Sequence, residues 1–96
     1  MELYRGGFKK DIYHGYGVLR HSNGSIMYEG EYHNGLRHGK GTLYLENGDT
    51  YSGMFRHNKY HGMGLLVHQN GQVLEGEFVE GTFCDSNNKN ASNWLL

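Results

Sequence analysis

The stretch from Tyr28 to Gly48 recurs on both sides of itself, and this repetition constrains the fold more than any other feature. Each copy has a Tyr-x-Gly-x-aromatic start, a His-Gly-x-Gly segment and a closing Asn-Gly pair. The copies start at Tyr4, Tyr28 and Tyr51, which gives periods of 24 and 23 residues. A partial fourth copy starts at Leu74. A fixed period of this length indicates a repeat architecture in which each unit packs against its neighbours.

Within each copy the apolar and glycine positions fall on alternate residues, as in β-strands. The Asn-Gly pairs predict tight turns because both residues tolerate positive φ. We expect each copy to form a β-hairpin with a polar loop such as residues 9–13 at one end. The extra residue in the segment 25–27 is expected to form a bulge. The predicted fold is all-β, an elongated, open, single-layer antiparallel meander with strands near residues 3–8, 16–21, 27–33, 40–45, 50–56, 63–68 and 73–79.

A thin aromatic core is expected on one face of this sheet. The chain has 16 glycines, eight tyrosines and four phenylalanines but only 36% hydrophobic residues. A glycine leaves a gap in the pleated surface, and an aromatic ring of a neighbouring strand can lie over that gap. The repeat columns that form this core are Tyr4, Gly6, Phe8, Gly17, Leu19, Tyr28, Gly30, Tyr32, Gly41, Leu43, Tyr51, Gly53, Phe55, Gly64, Leu66, Gly76 and Phe78.

The combination of these motifs, with Asn-Gly starting nine residues after the His, resembles the MORN repeat. Three full copies and half of a fourth make residues 1–81 the repeat array, and residues 82–96 a polar tail. The fourth copy departs from the pattern, with Leu74 in place of Tyr and no His-Gly-x-Gly. The resemblance implies stacked hairpins and a non-catalytic scaffold that binds or assembles proteins, often at membranes or the cytoskeleton. Some MORN arrays are linked to phosphoinositide binding. Others are attached to lipid kinases or a lysine methyltransferase, for which this chain has no room.

Charge placement suggests a second role, as a peripheral membrane module. The net charge of −1 argues against nucleic-acid binding driven by overall charge. Six basic residues fall in or beside the same loop of successive hairpins, so stacking would line them along one rim. This rim would contact anionic phospholipid headgroups or an acidic protein weakly, at about 1 kcal/mol per residue at best. Solvated loop charge without a partner is the alternative. The rim residues are Lys9, Lys10, Arg37, Lys40, Arg56 and Lys59.

The repeat histidines His14, His38 and His61 are expected to hydrogen-bond to the loop backbone. Equivalent residues two strands apart are separated by about 9–10 Å, too far to share one zinc ion. We expect no metal and no cofactor. The sequence also contains no recognisable nucleophile, acid–base or phosphate-binding motif, so it predicts no catalytic residues.

The ends of the chain give further expectations. There is no signal peptide and no apolar run of about 18 residues, and the single Cys84 suits a reducing compartment, so the chain is expected to be cytoplasmic. Exposed strand edges favour pairing with another chain, so a homodimer through the end strands at 3–8 and 74–79 is expected unless the ends are covered. Trp94–Leu96 could supply such a cap or act as a short docking peptide.

Overall fold

The computed structural model describes residues 2–84, which form one antiparallel sheet of eight strands. Every strand pairs only with its neighbours in sequence, so the sheet is an open meander. The expected all-β, single-layer fold is confirmed. The strands are β1 (Glu2–Lys9), β2 (Ile12–His21), β3 (Ile26–His33), β4 (Leu36–Tyr44), β5 (Thr50–Arg56), β6 (Lys59–Val67), β7 (Val73–Val79) and β8 (Thr82–Cys84).

The eighth strand was not predicted. Residues 82–84 were expected to begin the polar tail, but β8 pairs with β7 and places the Phe83 ring 5.2 Å from the Phe78 ring. Phe83 lies nine residues after Leu74, as Tyr60 lies nine residues after Tyr51. The aromatic residue nine positions after the start of a copy is therefore present in the fourth copy, although that copy lacks the His-Gly-x-Gly motif. The rest of the expected tail and the cap at Trp94–Leu96 lie outside the described residues.

The tight turns are at the opposite end of each hairpin from the one predicted. The hairpins close through two-residue turns at Lys10–Asp11, Asn34–Gly35, His57–Asn58 and Glu80–Gly81, in which both residues have positive φ. This is the conformation of a type I′ turn. The expected five-residue loop at 9–13 is therefore wrong. The Asn-Gly pairs that close the copies instead lie in longer links, in which Oδ1 of Asn23, Asn47 and Asn70 accepts a 2.9 Å hydrogen bond from the N–H two residues on.

The His-Gly-x segments form β-bulges. In the first hairpin the pair Gly6–Gly17 is followed by the pair Phe8–Tyr13, so one residue of β1 faces three residues of β2. The second and third hairpins have the same irregularity. The bulge glycine has a φ of 85° in Gly15, a conformation that favours glycine over other residues. A further irregularity leaves Met27 unpaired, which confirms the bulge expected in segment 25–27.

Aromatic rings cover glycine pairs on one face of the sheet, as expected. Gly30 and Gly41 pair across β3 and β4, and the Tyr28 ring lies over Gly41 so closely that a Cβ there would collide with it. The Tyr28 hydroxyl donates a 2.9 Å hydrogen bond to the Glu31 carbonyl. Tyr51 repeats both features over Gly64. The buried side chains on this aromatic face are Tyr28, Tyr32, Tyr51, Phe55, Leu74 and Phe78.

The core is exposed at the first hairpin, where the array begins. Tyr4 stacks on Tyr13 at 3.7 Å and covers Gly17, but Phe8 is 60% exposed because no hairpin precedes it. Phe55 occupies the same repeat column in the middle of the array and is only 3% exposed. Phe78, in the last described hairpin, is also buried at 2% exposure. Burial at this position therefore depends on a preceding hairpin, as expected when each repeat packs against its neighbour.

Candidate functional site

The second, third and fourth hairpin turns each hydrogen-bond to the second strand of the preceding hairpin. The N–H groups of Gly35, Asn58 and Gly81 donate to the carbonyls of Tyr13, Arg37 and Tyr60, respectively, at 2.8–2.9 Å. These bonds join hairpin to hairpin at the strand ends that carry the two-residue turns, called the turn edge below. Asn58 and Gly81 also line a cavity beside Arg37, and this cavity is called the groove below.

The repeat histidines reinforce these joints through their ring nitrogens. His14 Nδ1 accepts the N–H of Asn34 at 3.2 Å, and His61 Nδ1 accepts the N–H of Glu80 at 3.1 Å. His38 accepts from His57 in the same way. The expected backbone hydrogen bonds are therefore present. Because Nδ1 is an acceptor, the proton of each neutral ring is on Nε2.

Sequence reasoning missed a row of four histidines along the turn edge. The ring centroids of His14 and His33 are 4.9 Å apart, those of His33 and His38 are 5.7 Å apart, and those of His38 and His57 are 5.1 Å apart. Burial lowers the pKa of His38, and the charges of His57, His33 and nearby Arg56 lower it further, against an opposing effect of Glu31. His33 and His57 lie outside the repeated motif, so the motif alone gave no signal for this row.

Arg37 lies on the aromatic face and not at the charged rim. Nine residues after the leading residue of each copy, the chain has Tyr13, Arg37, Tyr60 and Phe83. Arg37 thus occupies a column that holds aromatic rings in the other copies. Its guanidinium carbon lies 5.8 Å from the centroid of the Tyr28 ring and 5.6 Å from that of Phe55. These are distances at which a cation interacts favourably with a ring face.

The guanidinium of Arg37 is only partly satisfied by the residues that the structure describes. Its Nη2 donates to the Asn58 carbonyl at 3.2 Å, while its buried Nε has no hydrogen-bond partner among residues 2–84. Neither of the two ion pairs found in residues 2–84 includes Arg37. A guanidinium has five N–H donors, so this side chain retains capacity to bind an acceptor.

A cavity of about 230 Å³ opens beside this guanidinium. Leu43 and Tyr60 line it together with the polar residues Arg37, Asn58 and Lys59. Burial raises the pKa of Tyr60, and the Arg37 charge opposes this rise. The cavity is smaller than the 300–1,000 Å³ typical of sites for drug-sized ligands. Its volume suits one side chain of a larger partner.

The predicted basic rim is only partly assembled. Lys9, Lys10, Arg56 and Lys59 flank or form the two-residue turns and share one edge of the sheet. Lys40 lies elsewhere, on the face opposite the aromatic rings, where its N–H donates to the Glu31 carboxylate at 3.0 Å. The edge therefore presents four of the six predicted basic residues, beside the histidine row.

The opposite face has a shallower depression of about 360 Å³ over the glycine pair of β3 and β4. The acids here have structural partners. Glu31 accepts a bulge N–H, and Glu29 accepts the hydroxyl of Tyr44 at 3.0 Å, a bond that raises the pKa of Tyr44. Among residues 2–84, no three His, Cys, Asp or Glu side chains are grouped so that they could hold a metal ion.

The family model of the MORN repeat matches residues 4–26, 28–50 and 51–73. The chain belongs to the MORN-repeat family. MORN proteins are repeat proteins that often interact with other proteins or with membranes, and the family is generally non-enzymatic. The three matches start at Tyr4, Tyr28 and Tyr51, while the sheet continues through β7 and β8. None of the curated proteins compared with the chain matches it. No helix in the described part is long and apolar enough to cross a membrane.

Proposed function

We propose that this MORN array is a non-catalytic scaffold that binds an extended segment of a protein partner in the groove on its aromatic face. The observation that carries the proposal is the cavity between Arg37 and Tyr60, where apolar walls and unused donors meet on a face already built from fixed rings. Aromatic and arginine side chains are the residues most enriched at the centres of protein interfaces. Rings held by the fold lose little conformational freedom when a partner binds.

Peptide display against the whole chain, followed by mapping of the bound peptides, tests this function. Binders should perturb the backbone amide NMR signals of Leu43, Tyr60 and Gly81, which line the groove. Lys59→Glu, at the groove wall, should weaken binding, whereas Met63→Glu should not. Met63 is 64% exposed and lies beyond the bulge glycine of the same strand, so it is the matched control. Binding that perturbs only the opposite face, or that responds equally to both variants, would refute the groove.

A second candidate function is weak binding to anionic membranes through the turn edge. The clustering of Lys9, Lys10, Arg56 and Lys59 beside the histidine row favours it. Four basic residues would contribute about 1 kcal/mol each at most, so binding would be weak and would decrease as salt increases.

Vesicle flotation separates the second candidate from the first. Vesicles with phosphoinositides should carry the protein at low salt and release it at high salt, and the double variant Lys10→Glu, Arg56→Glu, which leaves the groove lining unchanged, should stay unbound. Lys40→Glu on the other face is the control. Flotation that survives reversal of both charges would refute binding to membranes through the turn edge, and the proposal that the groove binds a protein partner would be unaffected.

A further inference from the structure

We propose that Arg37 sets the specificity of the groove by selecting a carboxylate. The favoured occupant is a short extended segment of a protein partner in which one Asp or Glu is flanked by apolar residues. The carboxylate would accept hydrogen bonds from the Arg37 guanidinium, and the apolar neighbours would contact Leu43 and Tyr60. This inference rests on the proposed peptide-binding function of the groove and adds the chemistry of the bound segment.

The first argument is the break in the aromatic pattern. Tyr13 stacks on Tyr4 at 3.7 Å and Tyr60 stacks on Tyr51 at 3.8 Å, each with nearly parallel rings. At the equivalent place over Tyr28, in the centre of the array, the ring is replaced by the Arg37 guanidinium. A tyrosine there would complete the stack, as it does in the copies on both sides. The array therefore gives up a ring contact for a cation at this point.

The second argument is the unused hydrogen-bonding capacity of that cation. A buried N–H donor that has no acceptor is costly, and the Nε of Arg37 has no partner in residues 2–84. Arg37 also forms no ion pair with these residues. A carboxylate can accept two parallel N–H bonds from a guanidinium, which makes the pair strong and directional. The rings of Tyr28 and Phe55 beside it lower the local polarity and strengthen such bonds.

The third argument is the size and lining of the cavity. A volume of about 230 Å³ accommodates one acidic side chain with part of an apolar neighbour. Lys59 lines the same cavity and adds a second positive charge. Recognition of phosphorylated segments typically uses clusters of arginines, whereas a single arginine, Arg37, lines this cavity. A single carboxylate therefore matches the charge and the volume of the site.

The test is a selection of random 12-residue peptides by the whole chain, repeated with the variants Arg37→Tyr and Arg37→Lys. Arg37→Tyr restores the residue that the flanking copies use, so it is the variant most compatible with the fold. Thermal unfolding of both variants is measured first. Peptides selected by the wild type should be enriched in an Asp or Glu flanked by apolar residues, and those selected by Arg37→Tyr should not.

Affinity measurements on the selected peptides give the quantitative result. Changing the peptide Glu to Gln should weaken binding to the wild type by at least about tenfold, yet leave binding to Arg37→Tyr nearly unchanged. Arg37→Lys should retain the acidic preference with lower affinity because it loses the bidentate geometry. Peptides that bind the groove without acidic enrichment, or equal Glu-to-Gln effects in both proteins, would overturn the role of Arg37 while leaving the groove intact. Failure to select any groove-binding peptide would refute both proposals.

Discussion

Truncation of Phe55 should remove most of the stability of the array. Phe55 is 3% exposed, and its ring meets those of Tyr28, Tyr51 and Tyr60 edge-on at centroid distances of 5.1–5.7 Å. Replacing a buried phenylalanine by alanine costs about 3–5 kcal/mol. A chain of this length has a free energy of unfolding of roughly 5–14 kcal/mol at 0.05–0.15 kcal/mol per residue. An open single-layer sheet belongs near the lower limit, so Phe55→Ala is expected to melt at room temperature.

Phe8→Ala is the matched control for this prediction. Phe8 is the same residue type in the same repeat column, but it is 60% exposed at the end of the array. Its truncation should cost about 1 kcal/mol or less, in line with the smaller area removed from water. Urea unfolding followed by near-ultraviolet circular dichroism gives both free energies. A wild-type-like transition for Phe55→Ala, or equal losses for the two variants, would refute the stacking argument.

Three other changes test separate parts of the structure. Gly41→Ala should destabilise the fold by about 1–3 kcal/mol because its Cβ would enter the Tyr28 ring, whereas Gly35→Asn, at an open turn position, should cost less than about 1 kcal/mol in the same urea assay. Burial raises the pKa of Tyr51 to about 12. The stability that Tyr51 contributes should therefore be complete below pH 10 and decline as the pH rises from 10 towards 12. Tyr51→Phe should reduce this decline in unfolding curves measured at alkaline pH. Folding lowers the pKa of His38, so the unfolded chain binds more protons and the free energy of unfolding should fall as the pH drops below about 6.5. His38→Gln should reduce this dependence of stability on pH between pH 7 and 5.5. An unchanged dependence would contradict the lowered pKa of His38.

The sequence predicts the aromatic face well because its signal is periodic. The rings of Tyr28, Tyr51 and Phe55 recur at a fixed spacing with glycines between them, and the structure buries all three. A period of two combined with a 23-residue repeat leaves few folds other than a meander of hairpins. The position of the core therefore follows from spacing alone.

The turns could not be assigned from residue preference alone. Asn-Gly pairs favour two-residue hairpin turns, and Asn34–Gly35 forms one, but the Asn-Gly pairs that close the copies lie in the longer links. Lys10–Asp11 and His57–Asn58 adopt the same positive φ values without glycine. The hydrogen bonds and bulges of the neighbouring strands fix the register and override the local preference of each turn. For this reason the predicted loop at 9–13 is longer than the two-residue turn Lys10–Asp11 that the structure contains.

That error also concealed Arg37. A loop position for Arg37 groups it with the basic residues of the rim. Its repeat position, which it shares with Tyr13 and Tyr60, instead indicates the aromatic face. The histidine row depends on His33 and His57, which only the folded register brings beside His38. These features arise from pairing across strands, which repeat spacing does not specify until the turns are known.

The most direct test of the central claim is the proton chemical shift of the glycine Hα atoms under the rings. In Gly41 and Gly64, the Hα that points where a Cβ would lie faces the ring of Tyr28 or Tyr51, respectively. Both protons should be shifted strongly upfield, while those of Gly35 and Gly71, where an added Cβ would meet no atom within 4 Å, should not. Random-coil shifts for Gly41 and Gly64 in the folded protein would contradict the account that rings fill the gaps left by glycines.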